Sequence, residues 1–351
     1  MPTAIQRLRQ TGISPEGYVY GRHIKFFNQR LNVIFTALII VIGVIVAIAG
    51  YFGPRVVLDT NFSIPELPDD LDAYLVDDEA KHSDITPGAE KKIIWANPEL
   101  KNKTRFAFVY LHGFSATRQE SLPVPTNIAR HFDSNIYYAR LTGNGRSDDA
   151  MAIGSVNRWI NDAAQAMAIA NTIGDQTIII GCSTGASLGW WIAHQEAFRK
   201  QIKSLVFFSP NFGVADPRAC ILLWPWGAQI AKAITGAYRE SEPVNPEHEK
   251  YWAYRYPTES LLPMMGMVKI TEHYPPAETV FPVHVTYSPY DDTVNALKIR
   301  SFYDHLITKK QALVIDQPEA ESQHVIVGDI LAPQNNDRVT KSVITFIEGL
   351  D

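Results

Sequence analysis

A serine set between two glycines, directly after a run of apolar residues, is where the chemistry of this chain begins. Thr177-Ile178-Ile179-Ile180 leads straight into Gly181-Cys182-Ser183-Thr184-Gly185, the form of a strained strand-to-helix turn that presents a serine oxygen. The glycines lack the Cβ atoms that would collide where strand and helix nearly touch. A serine hydroxyl is a weak nucleophile at neutral pH. It needs a histidine to take its proton and a carboxylate to hold that histidine in one tautomer.

Six histidines follow Ser183: His194, His248, His273, His284, His305 and His324. His194 falls on the helix leaving the turn, His284 within a strand, His305 on a predicted helix, and His248 and His273 in a long intervening segment. His324, in Glu321-Ser322-Gln323-His324-Val325, sits in a loop after the last predicted strand. From there it can reach back across the sheet edge, and it is the expected base. For the acid, Ser288-Pro289-Tyr290-Asp291-Asp292-Thr293-Val294-Asn295 offers two adjacent carboxylates. Asp291 fits a small-x-x-Asp-x-x-Val register and is preferred; Asp292 is the alternative, or a helix N-cap or first-turn acid. Attack on a carbonyl creates an oxyanion that needs fixed backbone donors, each worth on the order of 3 kcal/mol. One expected donor is the Thr184 amide. The other is the Phe114 amide in Leu111-His112-Gly113-Phe114, where a glycine permits close approach and His112 reads as a structural residue of the loop.

The elements that must position these residues alternate in type. Residues 105–111, 136–139, 177–180, 205–208, 283–287 and 313–315 read as strands. Helices are expected over 155–173, with Trp159, Ala163, Met167 and Ala170 on one face, over 186–196, with Leu188, Trp191 and Ile192 inward, and over 338–347. This predicts an α/β fold with a mostly parallel central sheet covered by helices on both faces, its core in 104–212 and 280–351. Function in such sheets gathers at the carboxyl ends of the strands. The interval 213–279 is too long for a loop and carries helical character. It is expected to form a helical lid, whose Trp224, Trp226, Tyr256, Met264 and similar residues either line a greasy channel or pack the lid helices together.

With 351 residues and 46% hydrophobic content, the chain can bury one large domain with appendages. A net charge of -5 without a long Lys/Arg run argues against nucleic-acid binding. Two cysteines, no zinc spacing and no phosphate loop give no sign of a metal or cofactor. Residues 33–53 are uncharged and long enough to cross a bilayer as one helix. Arg7, Arg9, Arg22, Lys25 and Arg30 precede them, whereas Glu66, Asp69, Asp70, Asp72, Asp77, Asp78 and Glu79 follow. That bias places a tail, 1–32, in the cytoplasm and the remainder across the membrane, in the periplasm of a Gram-negative cell. Ala47-Ile48-Ala49 leaves a cleaved signal peptide as the alternative. Residues 54–103, rich in proline and acids, read as a solvated stalk with a short strand at 93–95.

Together, His112-Gly113-Phe114, Leu141-Thr142-Gly143-Asn144-Gly145-Arg146-Ser147, the serine turn, the Asp291 loop and the His324 loop resemble the α/β-hydrolase superfamily in order and spacing. The resemblance covers 105–349. It is greatest to lidded serine esterases and lipases of the monoacylglycerol lipase type and to membrane-anchored bacterial relatives. It implies hydrolysis of carboxylic esters, with apolar acyl groups, by Ser183, His324 and Asp291 without metal or organic cofactor. Two departures stand out: Asn144 where relatives carry a histidine, and Cys182 and Thr184 around the serine. Thioester or peptide cleavage, acyl transfer, and a non-catalytic binding protein of this fold remain open. Glu240, Glu242, Glu247 and Glu249 could anchor a substrate amine, although such a run ordinarily forms a solvated face.

Overall fold

Strands that are apolar on both sides can sit only inside a sheet covered on both faces, and three of the strands here are of that kind. The computed structural model describes residues 15–317, 319–320 and 322–350. Arg7 and Arg9 of the basic tail, the side chains of Glu16, Arg22 and Lys25, and Glu321 beside the expected base lie outside the described residues. The strands are β1 (Lys92–Ile94), β2 (Thr104–Leu111), β3 (Asn135–Tyr138), β4 (Gly174–Cys182), β5 (Ile202–Phe208), β6 (Tyr238–Glu240), β7 (Arg255–Pro257), β8 (Val283–Tyr287) and β9 (Lys310–Val314). Seven of them form one sheet in the order β1-β3-β2-β4-β5-β8-β9, with β1 antiparallel and the others parallel.

The pleat sorts the core into two layers. Ala107, Val109 and Leu111 of β2, Ile179 of β4 and Leu205 and Phe207 of β5 face helices Val156–Ile173 and Thr184–Ala193. Phe106, Phe108 and Tyr110, with Ile178, Ile180, Val206 and Phe208, face helices Val124–His131 and Asn336–Glu348. Trp159, Ala163, Met167 and Ala170 are all buried in the first layer, the face their spacing predicts. The helix after Ser183 is shorter than expected, ending at Ala193. It is also buried on every side, so Trp190 is as enclosed as Leu188, Trp191 and Ile192.

Two expectations are corrected. The segment between β5 and β8 is not wholly helical. Besides helices Gly227–Thr235, Pro246–Tyr251 and Leu261–Thr271 it contains the antiparallel pair β6–β7. There the Arg255 guanidinium covers the Tyr238 ring at 3.7 Å and meets Glu240 at 3.1 Å, cross-strand contacts that favour a ladder over a helix.

The second correction concerns 54–103, which does not form a solvated stalk. From Arg55 onward the chain belongs to the compact body. Asp70 caps helix Leu71–Glu79 by accepting the Ala73 amide at 3.0 Å, and Leu71 and Leu75 enter the core. Phe62 packs edge-on against Trp191 at 5.3 Å. Glu79 takes Arg140 in a buried fork, with Nε and Nη2 each 2.8 Å from a carboxylate oxygen. Glu79 and Asp78 therefore pair within the body, whereas Glu66, Asp69, Asp70 and Asp77 stay exposed on its surface.

The helix Pro15–Phe52 is a unit of its own. Its stretch Phe27–Phe52 has a mean hydropathy of 3.0 and is long and apolar enough to cross a membrane.

Removing one partner of a buried fork leaves the other charge uncompensated, at about 3–5 kcal/mol. Glu79→Ala is expected to lower the unfolding free energy by about that much in urea titrations of the full chain in detergent. A solvated acid would change it by less than about 0.5 kcal/mol.

Candidate active site

β4 ends at Cys182 and a helix starts at Thr184, so the chain must reverse character at Ser183. It does so at φ 51° and ψ −115°, a conformation that costs a non-glycine residue on the order of 1–3 kcal/mol. Neighbouring contacts impose it. A Cβ on Gly181 would lie 2.6 Å from the Ala186 amide nitrogen, and one on Gly185 would collide with the Leu111 carbonyl of β2. The turn is pinned further by Ser183 N–H donating to Phe208 O at 2.9 Å and Asn211 N–H donating to Ser183 O at 3.1 Å.

The loop after β8 folds around one carboxylate. Asp291 Oδ1 accepts the amides of Thr293 at 2.9 Å and Val294 at 2.8 Å, which aims Oδ2 at His324 Nδ1, 2.8 Å away. The other ring nitrogen, Nε2, lies 3.0 Å from Ser183 Oγ. Nδ1–H therefore donates to Asp291, and Nε2 is left to accept the serine proton. Asp292 points outward to the Thr293 hydroxyl, and Asn295, not Asp292, caps the next helix. Ser288 Oγ donates to Gln323 Oε1 at 2.7 Å, clipping the aspartate and histidine loops together.

Burial of His324 opposes its charged form, but the Asp291 carboxylate more than compensates, and the imidazolium is raised above its ordinary 6.5. The other histidines after Ser183 have partners elsewhere. His194, His273 and His305 each direct Nδ1 to a carbonyl three or four residues back, His284 meets Ser342 Oγ, and His248 accepts the Val244 amide.

Above the serine, the loop after β2 is locked by His112. Its Nδ1–H donates to Gly113 O at 2.8 Å and its Nε2 accepts the Leu141 amide at 2.9 Å. Burial pushes its pKa down to about 4, so the ring is a neutral clip. Gly113 lies against the serine, since a Cβ there would be 3.3 Å from Ser183 Cβ. Among the described residues, the Phe114 and Thr184 amides donate to no protein group. Asn144 is buried, donating to Leu141 O, within the turn after β3.

Sequence reasoning passed over Glu120, whose buried carboxyl accepts the Gly113 amide at 2.7 Å. Burial pushes it up to about 7. A single acid in a polar loop belongs to no periodic pattern, so nothing local singles it out.

No family model and no curated protein matches the chain. Solved structures do match. A metagenome-derived lipolytic enzyme aligns with a TM-score of 0.61 at 20% identity, over 76% of this chain and 99% of its own. The chain has the α/β-hydrolase fold. Two further structures align with lower scores. The monoglyceride lipase of Saccharomyces cerevisiae gives 0.51 at 10% identity, over 74% of this chain and 92% of its own. The monoacylglycerol lipase of Paleococcus ferrophilus gives 0.50 at 13% identity, over 74% and 98%.

In Asp291→Asn the chief group that holds the His324 proton is gone while burial remains. Histidine NMR titration is expected to place the His324 pKa below the wild-type value; an unchanged pKa would contradict the Asp291–His324 contact.

Proposed function

We propose that this chain is a membrane-anchored serine hydrolase that cleaves carboxylic esters. The observation that carries the reading is the single imidazole bridging Asp291 at 2.8 Å and Ser183 Oγ at 3.0 Å. In the proposed reaction His324 Nε2 takes the Ser183 proton as Oγ attacks the ester carbonyl, and Asp291 stabilises the imidazolium that forms. The Phe114 and Thr184 amides receive the oxyanion. His324 then protonates the departing alcohol, leaving an acyl-enzyme on Ser183. A water that loses its proton to His324 releases the acid and restores the serine. Each proton in this cycle has a named carrier, and no cofactor is required.

Apolar acyl groups suit the surroundings. The Phe114 ring packs edge-on against Tyr256 of β7 at 5.3 Å, Asn211 Nδ2 reaches Met264 Sδ at 3.2 Å, and Ala253 N–H donates to Ser115 O. These contacts support reading 213–279 as a lid on a core of 104–212 and 280–351. The lipases named among the similar structures favour esters over other acyl derivatives. The apolar helix supports a single membrane span over 33–53, with tail 1–32 cytoplasmic and the catalytic portion on the far side.

A fluorophosphonate probe is expected to label the wild type, and Ser183→Ala to abolish labelling and lower kcat on p-nitrophenyl esters by about 10⁶-fold. An unlabelled wild type would leave a binding protein as the better reading. The base must be neutral to act, and His324 holds its proton more firmly than an ordinary histidine. Activity should therefore be full at high pH and fall, as pH drops, through an apparent pKa above 6.5. A reporter fused after Asp351 should lie outside the cytoplasm; cytoplasmic signal would overturn the orientation.

A further inference from the structure

Glu120 takes no part in the reaction just described, yet it touches three of its elements. Only 2% of it is exposed. Its Oε1 accepts the Gly113 amide at 2.7 Å and the Tyr110 hydroxyl at 2.8 Å, and the buried Cys182 side chain lies beside it. A tyrosine hydroxyl has one proton, so Tyr110 donates to Glu120 and accepts from Ser121 Oγ, 2.6 Å away. The Glu120 carbonyl abuts Gly328, four residues past His324, so closely that a Cβ there would collide. One residue further, Asp329 N–H donates to Leu122 O at 2.8 Å, joining the same two segments. Glu120 therefore meets the loop that carries Phe114, the residue before Ser183, and the loop that carries His324.

We propose that Glu120 is a positioning residue for the oxyanion site: by holding the Gly113 amide from behind, it keeps the next amide, that of Phe114, directed at the reacting carbonyl. This rests on the reading of Ser183 as nucleophile. The bare Cα of Gly113 is confined between the two sides, since a Cβ there would lie 3.0 Å from Glu120 Oε2 and 3.3 Å from Ser183 Cβ. A buried carboxylate is costly unless its lone pairs are filled, and here the donors come from β2 and its following loop.

The titratable groups facing Glu120 are Tyr110, Cys182 and His324, with Asp291 beyond His324; Arg118 on its own segment turns to the Tyr138 ring at 5.7 Å. Ionised Glu120 favours the His324 imidazolium, and it also helps to raise that histidine's pKa. Protonated Glu120 still accepts the Gly113 amide, as a glutamine carbonyl would.

The test compares Glu120→Gln with Glu120→Ala in the full-length protein, measuring kcat and KM per fluorophosphonate-labelled site, the pH profile and Tm. Glu120→Ala should lose roughly 10- to 100-fold in kcat with KM little changed, because a transition-state donor is misdirected. Glu120→Gln should keep kcat within about threefold, and its acid limb should move to lower pH because the neighbouring negative charge is gone. Glu120→Ala with wild-type kcat per labelled site would overturn the assignment. So would equal losses in both variants accompanied by an equal fall in Tm, the mark of a purely structural residue. A wild type that neither labels nor hydrolyses esters would overturn the proposed function and this assignment together.

Discussion

Among the described glycines, Gly185 leaves the least room for a side chain. The helix after β4 starts against the Leu111 carbonyl of β2, and Gly181 faces Ala186 across the turn at a similar range. With both neighbours fixed by the sheet, the chain has one way through, and Ser183 adopts a left-handed backbone that a serine would otherwise avoid. The same approach brings Gly113, just past the end of β2, beside the serine. Two strand ends thus bring the Ser183 turn and the Gly113 loop against each other.

Around that point the buried charges divide into two kinds. Glu79 with Arg140 joins residues 61 positions apart and ties the acidic segment to the turn after β3. Asp291 and Glu120 instead flank the serine, each holding a backbone amide as well as facing the imidazole's surroundings. A carboxylate with its lone pairs filled by amides stays put while its charge acts on a neighbour. Asp291 does this through a direct bond to His324, and Glu120 through the loop that Gly113 begins.

Much of the sheet was legible because its central strands are apolar on both faces, and the pleat assigns each residue a side without knowledge of distant contacts. Edge and insertion elements were less so. β9, at the end of the sheet, begins with the polar Lys310 and Gln311, which carry no strand signal. β6 and β7 are held by Arg255 against Tyr238 and Glu240, a pairing invisible until the two segments meet. Asp78 and Glu79 looked solvated for the same reason: their cations, Lys91 and Arg140, stand 13 and 61 positions away.

The sequence by itself determined the strand-turn-helix around Ser183, the two core layers and the apolar N-terminal helix, because each rests on glycine sterics, pleat or unbroken hydropathy within a short stretch. It also pointed to His324 by setting aside the histidines on regular elements and those in the 213–279 interval. The local register already favoured Asp291 over Asp292; only the tertiary structure put Asp291 against His324 and drew Glu120 to the back of the Gly113 loop. Those choices depend on contacts spanning 141 residues from Ser183 to His324 and 33 from Asp291 to His324. Geometry across such separations is set by how layers pack, and no local pattern encodes it.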